Sequence, residues 1–408
     1  MQLTKFYNYS FLLVASFPLF SIRISTFILA FWFIMSVIVL FKKKSYNSLS
    51  KVSYRNIAIL SLYYIFLLVN YIFSGFDNNL IKFLETDALF LLFPLFIFIN
   101  KDYIATKTLK NILLVFFGSN LILAMICWFK IFQTGFFKLL EKDSYYHPVF
   151  RGLFAETTGI HLPYLGLFFV FSIFIAYFFI IKTNSKKHVK ILVFLSSIVL
   201  LASIVTFSAR MALGTFFVII FYLTFKEIKG SLRKISTLFL FTSFAIILVI
   251  NSPVKKRIAE IFNTKLELPS GKLNDKSHLV NFRYGIYYCS YNIIKNDIFV
   301  GIGKNNVSES LQLCYDNFSY NNFDDFKKRN YNTHNQYIDL IISYGVFGFI
   351  ILFSSIFYGW YHSKSSLYKV FLITIFLALL TENLFARQLG VVFFTLFNTL
   401  FFIIDRRL

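Results

Sequence analysis

Residues 191–225 read ILVFLSSIVLLASIVTFSARMALGTFFVIIFYLTF. Two apolar runs, 191–208 and 211–225, are joined by a tight turn in which Arg210 is the only charged residue. A helix of about 20 apolar residues spans the hydrocarbon core of a bilayer, and these runs approach that length. The stretch therefore predicts two membrane-spanning helices with a short turn at one membrane surface.

The same pattern recurs along the chain of 408 residues. Hydrophobic residues make up 57% of the sequence and charged residues only 15%, which excludes a disordered or fibrous chain and disfavours a soluble one. The sequence thus predicts an all-α, polytopic membrane protein with about 12 transmembrane helices. The predicted spans lie at roughly 10–22, 24–41, 56–74, 88–100, 111–133, 161–181, 191–208, 211–225, 236–251, 338–360, 370–384 and 390–404.

The net charge of +22 follows the membrane topology and does not indicate a nucleic-acid partner. With both termini in the cytoplasm, 21 of the 41 Lys and Arg residues lie on the inner side, against three acidic residues. Twelve of the remaining basic residues fall in one long loop, which the positive-inside rule discounts. This orientation predicts a net charge of +18 inside and +4 outside.

The spans divide the chain into three regions. Residues 1–251 form an N-terminal membrane bundle of about nine spans, with an outer loop at 134–160, and residues 338–408 form the C-terminal spans. Between them, 252–337 predicts a large periplasmic loop, in which 279–295 has helical periodicity. Cys289 and Cys314 share this loop and either pair in an oxidising compartment or remain unrelated thiols. The Cys and His spacing indicates no zinc site, and we expect no cofactor.

Ionisable residues are essentially absent from the centres of the predicted spans and cluster at their outer ends. A transporter usually keeps such groups near the bilayer midplane, so this distribution favours chemistry at the outer membrane surface. Arg210 could bind a phosphate, although an arginine at a span end often snorkels to lipid headgroups. His334 could act as a general base, although a histidine between a loop and a helix is more often a capping residue.

Four segments of the chain together resemble the O-antigen ligase/polymerase family of membrane glycosyltransferases. They are Ser208-Ala209-Arg210, Asn281–Tyr287 with the glycines of Gly301-Ile302-Gly303, Thr333–Ile338 with Tyr344–Gly348, and Glu382–Val391. A looser match covers Gly159–Leu165. The resemblance extends to the topology, with about twelve spans and one large outer loop before the tenth.

This resemblance implies transfer of a glycan from an undecaprenyl pyrophosphate carrier to an acceptor hydroxyl at the periplasmic face of the bacterial inner membrane. His334 is expected to act as general base, while Arg210 and Arg283 stabilise the pyrophosphate in a single inverting step without a metal. The further candidates for substrate binding are His161, Tyr164, Tyr287, Asn335, Glu382 and Arg387.

The sequence leaves several functions open. The lipid A core is the favoured acceptor, which makes the protein a ligase of lipopolysaccharide biosynthesis. A polymerase that joins carrier-linked repeats, or a protein O-oligosaccharyltransferase, would use the same residues. A polysaccharide or lipid exporter is the alternative outside enzymes, but it should show symmetric halves and a polar path through the midplane.

Overall fold

The described part of the chain folds as α-helices. The computed structural model describes residues 2–44, 46, 49–135, 148–207, 209–230, 232, 282–318 and 330–404. Within these residues the α-helices are α1 Gln2–Ala15, α2 Ile22–Lys43, α3 Lys51–Phe73, α4 Asn78–Asp87, α5 Leu89–Ile99, α6 Thr106–Gln133, α7 Pro148–Thr158, α8 Leu162–Ala176, α9 Lys187–Thr206, α10 Arg210–Glu227, α11 Phe282–Asn296, α12 Val307–Tyr315, α13 Gln336–His362, α14 Ser366–Leu379 and α15 Gln388–Ile404. The prediction of an all-α fold is confirmed for this part of the chain.

Six of the described helices are long and apolar enough to cross a membrane. They are α2, α3, α6, α8 with its continuation to Ile181, α9 and α13, and the shorter apolar helices α14 and α15 accompany them. The predicted span at 236–251 lies outside the described residues, and the total of about twelve spans stays a prediction. The chain is a membrane protein by the length and apolar character of these helices.

Aromatic side chains fill the centre of the bundle. Helix α15 is buried along nearly its whole length, and its Phe393 and Phe397 contact Phe116 of α6 and Phe171 of α8. The ring centroids in these pairs lie 4.8–5.7 Å apart, within the range of favourable aromatic contacts. Among the described residues, phenylalanines therefore supply a packed core as well as exposed surface on the bundle.

A break in α13 receives a segment of the preceding loop. Gly345 has φ 66° and ψ −168°, which interrupts the helix and releases backbone groups from their usual partners. The N–H groups of Ile302 and Gly303 donate to the carbonyls of Ile342 and Ser343 at 2.8 and 3.0 Å. In return, Val346 N–H donates to Ile298 O at 2.9 Å. The glycine turn at 301–303 is thereby fixed to the broken helix by backbone hydrogen bonds.

Only glycine fits where these two segments meet. A Cβ on Gly345 would lie 1.9 Å from the carbonyl oxygen of Phe299, and one on Gly301 would lie 2.6 Å from Ile342 O. Both glycines also have positive φ, which side-chain-bearing residues rarely adopt. The close backbone approach explains why glycines occur in both motifs, 301–303 and 344–348.

A disulfide joins two helices of the predicted outer loop. Cys289 of α11 and Cys314 of α12 are bonded, with their Cα atoms 5.7 Å apart. Of the two possibilities for these cysteines, a disulfide or two unrelated thiols, the disulfide is therefore correct. Ile286, Leu311 and Tyr315 form a small buried core around the bond, together with Ile342 of α13. Helix α11, predicted at 279–295, is thus held against α12 and packs on the membrane bundle through α13.

Candidate functional site

His334 is presented by two asparagine side chains that fix the backbone on either side of it. The carboxamide oxygen of Asn332 accepts the His334 N–H at 3.0 Å. That of Asn335 caps α13 by accepting the N–H groups of Tyr337 and Ile338 at 2.9 and 3.2 Å. His334 itself has φ 46°, a left-handed conformation that this pair of turns imposes. The sequence Asn-Thr-His-Asn therefore holds a half-buried imidazole at the start of a helix.

The residues around His334 are bonded to the turn between α14 and α15, residues 380–387, here called the C-terminal turn. Asn383 Nδ2 donates to Thr333 Oγ1 at 3.0 Å, and Phe385 N–H donates to Gln336 Oε1 at 3.0 Å. All four of these side chains are buried. Since the C-terminal turn also carries Glu382 and Arg387, two segments about 50 residues apart in sequence form one structural unit.

Tyr164 joins α8 to the same unit. Its hydroxyl donates toward the backbone carbonyls of Asn383 and Leu384, at 2.9 and 3.3 Å, and the side chain is 2% exposed. A Cβ on Gly390 would lie 1.9 Å from Leu384 O and 2.9 Å from the Tyr164 ring, so the turn packs closely. The imidazole of His161, at the N-cap of α8, lies 5.8 Å from the Tyr164 ring. The structure therefore brings His161 to the C-terminal turn.

Arg283 reaches the C-terminal turn from α11. Its Nη2 donates to Thr381 O at 3.3 Å, next to Glu382. Tyr287, one helical turn further along α11, packs against the small core around the disulfide. The disulfide and this core hold the helix, and the hydrogen bond to Thr381 aligns its N-terminal end with the site.

The titratable groups of this cluster interact through their charges. Burial, together with the charges of Arg387, His334 and Arg151, lowers the pKa of His161 to about 4. Burial, and then Arg283, lowers the pKa of His334 below its ordinary value of 6.5. Burial raises the pKa of Glu382, and the charges of Arg283 and Arg387 offset part of this rise.

These interactions define the electrostatic character of the site. Both imidazoles are neutral near pH 7, because burial and neighbouring arginines disfavour their charged forms. The charges of Arg151 and Arg387 act on His161, that of Arg283 acts on His334, and those of Arg283 and Arg387 act on Glu382. The arrangement suits an anion bound beside a neutral proton acceptor.

Arg210 is the first residue of α10 and is exposed. The turn before it is anchored from two sides. Arg151 Nη1 of α7 donates to Phe207 O at 3.2 Å, and Gly166 of α8 allows Ala209 and Ala212 to approach closely. The described contacts therefore connect the Arg210 turn to α7 and to α8, the helix that begins after His161.

The sequence did not single out several residues of this site. Arg151 stands in a loop without a recognisable motif, and its only signal is its charge. Thr333, Gln336 and Asn383 lie within the motifs, but their partners are far away in sequence, so no local pattern marks them. Within the described residues, no group of three or more His, Cys, Asp or Glu side chains could hold a metal ion.

The comparisons with known proteins agree with the motifs. No curated protein matches the chain. Residues 158–353 match the sequence model of the family described as O-antigen ligase. The match begins at the end of α7 and ends within α13, so it contains His161, Arg210, Arg283 and His334, while Glu382 and Arg387 lie beyond it. The predicted family is thereby confirmed: residues 158–353 of this membrane protein, just under half of the chain, match the O-antigen ligase family.

Proposed function

We propose that the protein transfers a glycan from an undecaprenyl pyrophosphate carrier to an acceptor hydroxyl at the periplasmic face of the bacterial inner membrane. The favoured acceptor is the lipid A core, which makes the protein a ligase in lipopolysaccharide biosynthesis. The observation that carries this proposal is the position of His334, half-buried before α13 and within the influence of the Arg283 charge. This proposal also places both termini in the cytoplasm.

In the proposed reaction, the acceptor oxygen attacks the anomeric carbon of the carrier-linked sugar. The acceptor proton passes to the neutral imidazole of His334 as the new C–O bond forms. The bond between the anomeric carbon and the pyrophosphate oxygen breaks at the same time, and undecaprenyl pyrophosphate leaves with the bonding electron pair. A single displacement of this kind inverts the anomeric configuration.

Two arginines stabilise the leaving group in this proposal. Negative charge grows on the pyrophosphate as the bond breaks, and fixed guanidinium groups stabilise it more strongly than water does in a partly buried site. Arg283 is held by the carbonyl of Thr381, and the backbone of the turn before Arg210 is held by Arg151, which supports a role for both residues at one site. Because these charges do the work of a metal, we expect transfer to continue in the presence of a chelator.

The remaining polar residues would bind the substrates. Glu382 and Arg387 of the C-terminal turn interact through their charges. Carboxylate and guanidinium groups can form hydrogen bonds with sugar hydroxyls. We propose that His161, Tyr287 and Asn335 also contact the substrates. Tyr164 would act through the C-terminal turn, since its hydroxyl is already engaged with two backbone carbonyls. The hydrocarbon tail of the carrier would remain in the surrounding lipid.

A complementation assay tests the proposed function. In a host deleted for this gene, surface polysaccharide is resolved on a gel with and without the wild-type protein. A ligase restores long chains attached to lipid A core, whereas in its absence polymer accumulates on the carrier. Single-repeat products would indicate a polymerase, and unglycosylated protein would indicate a protein O-oligosaccharyltransferase. Normal polymer attached at the wrong side of the membrane would indicate an exporter.

A further inference from the structure

Lys304 and Asp339 form a buried ion pair between the predicted outer loop and the membrane bundle. Lys304 directly follows the glycine turn, and Asp339 lies in the first turn of α13. The Lys304 side chain is 19% exposed and that of Asp339 is 5% exposed. The Lys304 ammonium also lies 5.7 Å from the ring centroid of Phe83 on α4. Breaking a buried pair leaves an uncompensated charge, so such a pair constrains its two segments strongly.

The ion pair is linked to the residues that hold His334. Asp339 N–H donates to the carbonyl of Asn335, the residue after His334. Gln336 Nε2 lies 3.5 Å from Asp339 Oδ2, while Gln336 Oε1 accepts from Phe385 N–H in the C-terminal turn at 3.0 Å. A path of contacts therefore runs from Lys304 through Asp339 and Gln336 to both sides of the candidate site.

The residues on either side of Lys304 in the sequence also fix the predicted outer loop to the bundle. The backbone bonds of the glycine turn to α13 lie immediately before Lys304. Immediately after it, Asn305 Nδ2 donates to Asp77 Oδ2 at 2.6 Å, at the start of α4. Lys304 thus occupies the middle of a short segment that contacts α13 on one side and α4 on the other.

We propose that Lys304 and Asp339 are positioning residues that fix the first turn of α13, and hence His334, relative to the arginines of the site. This inference rests on the proposed function. Arg283 makes no contact with the ion pair in the hydrogen bonds described, and is held by Thr381 and by the disulfide between α11 and α12. Loss of the ion pair therefore displaces the proton acceptor and leaves the donor's pyrophosphate contacts in place. A displacement of about 1 Å is enough to cost on the order of 100-fold in rate.

The test compares Lys304→Met, Asp339→Asn and the double variant in lipid nanodiscs, with a polyprenyl pyrophosphate-linked glycan as donor. We expect kcat to fall by about tenfold or more in each single variant, with the KM for the donor changed less than about threefold. The double variant should be no slower than the slower single variant, because both remove the same interaction. Lys304→Arg, which retains the charge, should recover part of the rate.

Lys182→Met is the matched control. Lys182 also forms an ion pair, with Glu227, but its side chain is 48% exposed. Lys182 follows the end of α8 that is remote from His161. Exposed pairs contribute little, so this variant should keep the wild-type kcat. Equal losses in Lys182→Met and Lys304→Met would show a general effect of removing a lysine and would overturn the proposal.

A readout independent of activity separates this proposal from the proposed function. Hydrogen exchange at the amides of Ile302 and Gly303 should be faster in the double variant than in the wild type, because the turn loses one of its anchors. The double variant also removes both buried charges, so it serves if a single variant fails to accumulate. Wild-type exchange together with a wild-type kcat in the double variant contradicts the proposal, as does a loss in the double equal to the product of the two single losses. If His334→Ala keeps full activity in the same assay, the proposed function fails instead.

Discussion

Gly345→Ala should separate the glycine turn from α13. At φ 66° and ψ −168° a residue other than glycine costs about 1–3 kcal/mol, and the new Cβ would lie 1.9 Å from Phe299 O. To relieve this contact, the segment at 298–303 must move and give up three backbone hydrogen bonds, each of which contributes about 0.5–1.5 kcal/mol. We expect a total loss of about 3–7 kcal/mol, a large share of the stability of a typical domain.

Gly214→Ala provides the matched control for this experiment. Gly214 lies inside α10, and a Cβ there would meet no atom within 4 Å. Alanine should therefore be neutral or should stabilise the helix by about 0.5–1 kcal/mol. Thermal unfolding of both variants in the same detergent, followed by a glycan-transfer assay, measures the difference. Equal unfolding midpoints and equal activities for the two variants would refute the packing argument for the break in α13.

Three further predictions follow from the site. Tyr164→Phe removes the hydroxyl that donates toward two buried carbonyls, so the transfer rate should fall by about tenfold while the protein remains inserted in the membrane. A wild-type rate would show that the C-terminal turn does not depend on this hydrogen bond. The transfer rate should be level above about pH 6.5 and should fall on acidification, because protonation of His334, whose pKa lies below 6.5, removes the base. A transfer rate that rises below about pH 6 contradicts this assignment. Replacing Cys289 and Cys314 by Ser should lower the free energy of unfolding by about 2–4 kcal/mol and reduce transfer. The control Cys127→Ser, outside the disulfide, should respond to a reductant as the wild type does. Equal sensitivity of the wild type and the double serine variant to dithiothreitol would argue against a role for the bond.

Sequence patterns predicted those features that depend on local chemistry. Apolar runs predicted α6, α8, α9 and α13, because burial in lipid requires long stretches without charge. The periodicity of 279–295 predicted α11, which the structure shows from Phe282 to Asn296. The motif residues Arg283, His334, Glu382 and Arg387 were selected on their chemistry, and the structure places them within electrostatic reach of one another.

Features that depend on distant partners could not be read from the sequence. The ion pair of Lys304 with Asp339 joins residues 35 positions apart, and neither lies in a pattern that names the other. The break at Gly345 looks like an ordinary helical glycine until the glycine turn is placed beside it. Arg151 is one of many surface charges until its bond to Phe207 O shows that it supports the Arg210 turn. In each case tertiary contact, not local propensity, gives the residue its role.

The role of His334 as proton acceptor is the central claim, and a single-turnover measurement tests it most directly. Purified protein in nanodiscs is mixed with an undecaprenyl pyrophosphate-linked glycan and a lipid A core acceptor, and the product and the released carrier are measured together. We predict stoichiometric release of undecaprenyl pyrophosphate by the wild type, and a rate lower by about 10²–10⁴-fold for His334→Ala with donor binding retained. Transfer by His334→Ala at the wild-type rate would contradict the account.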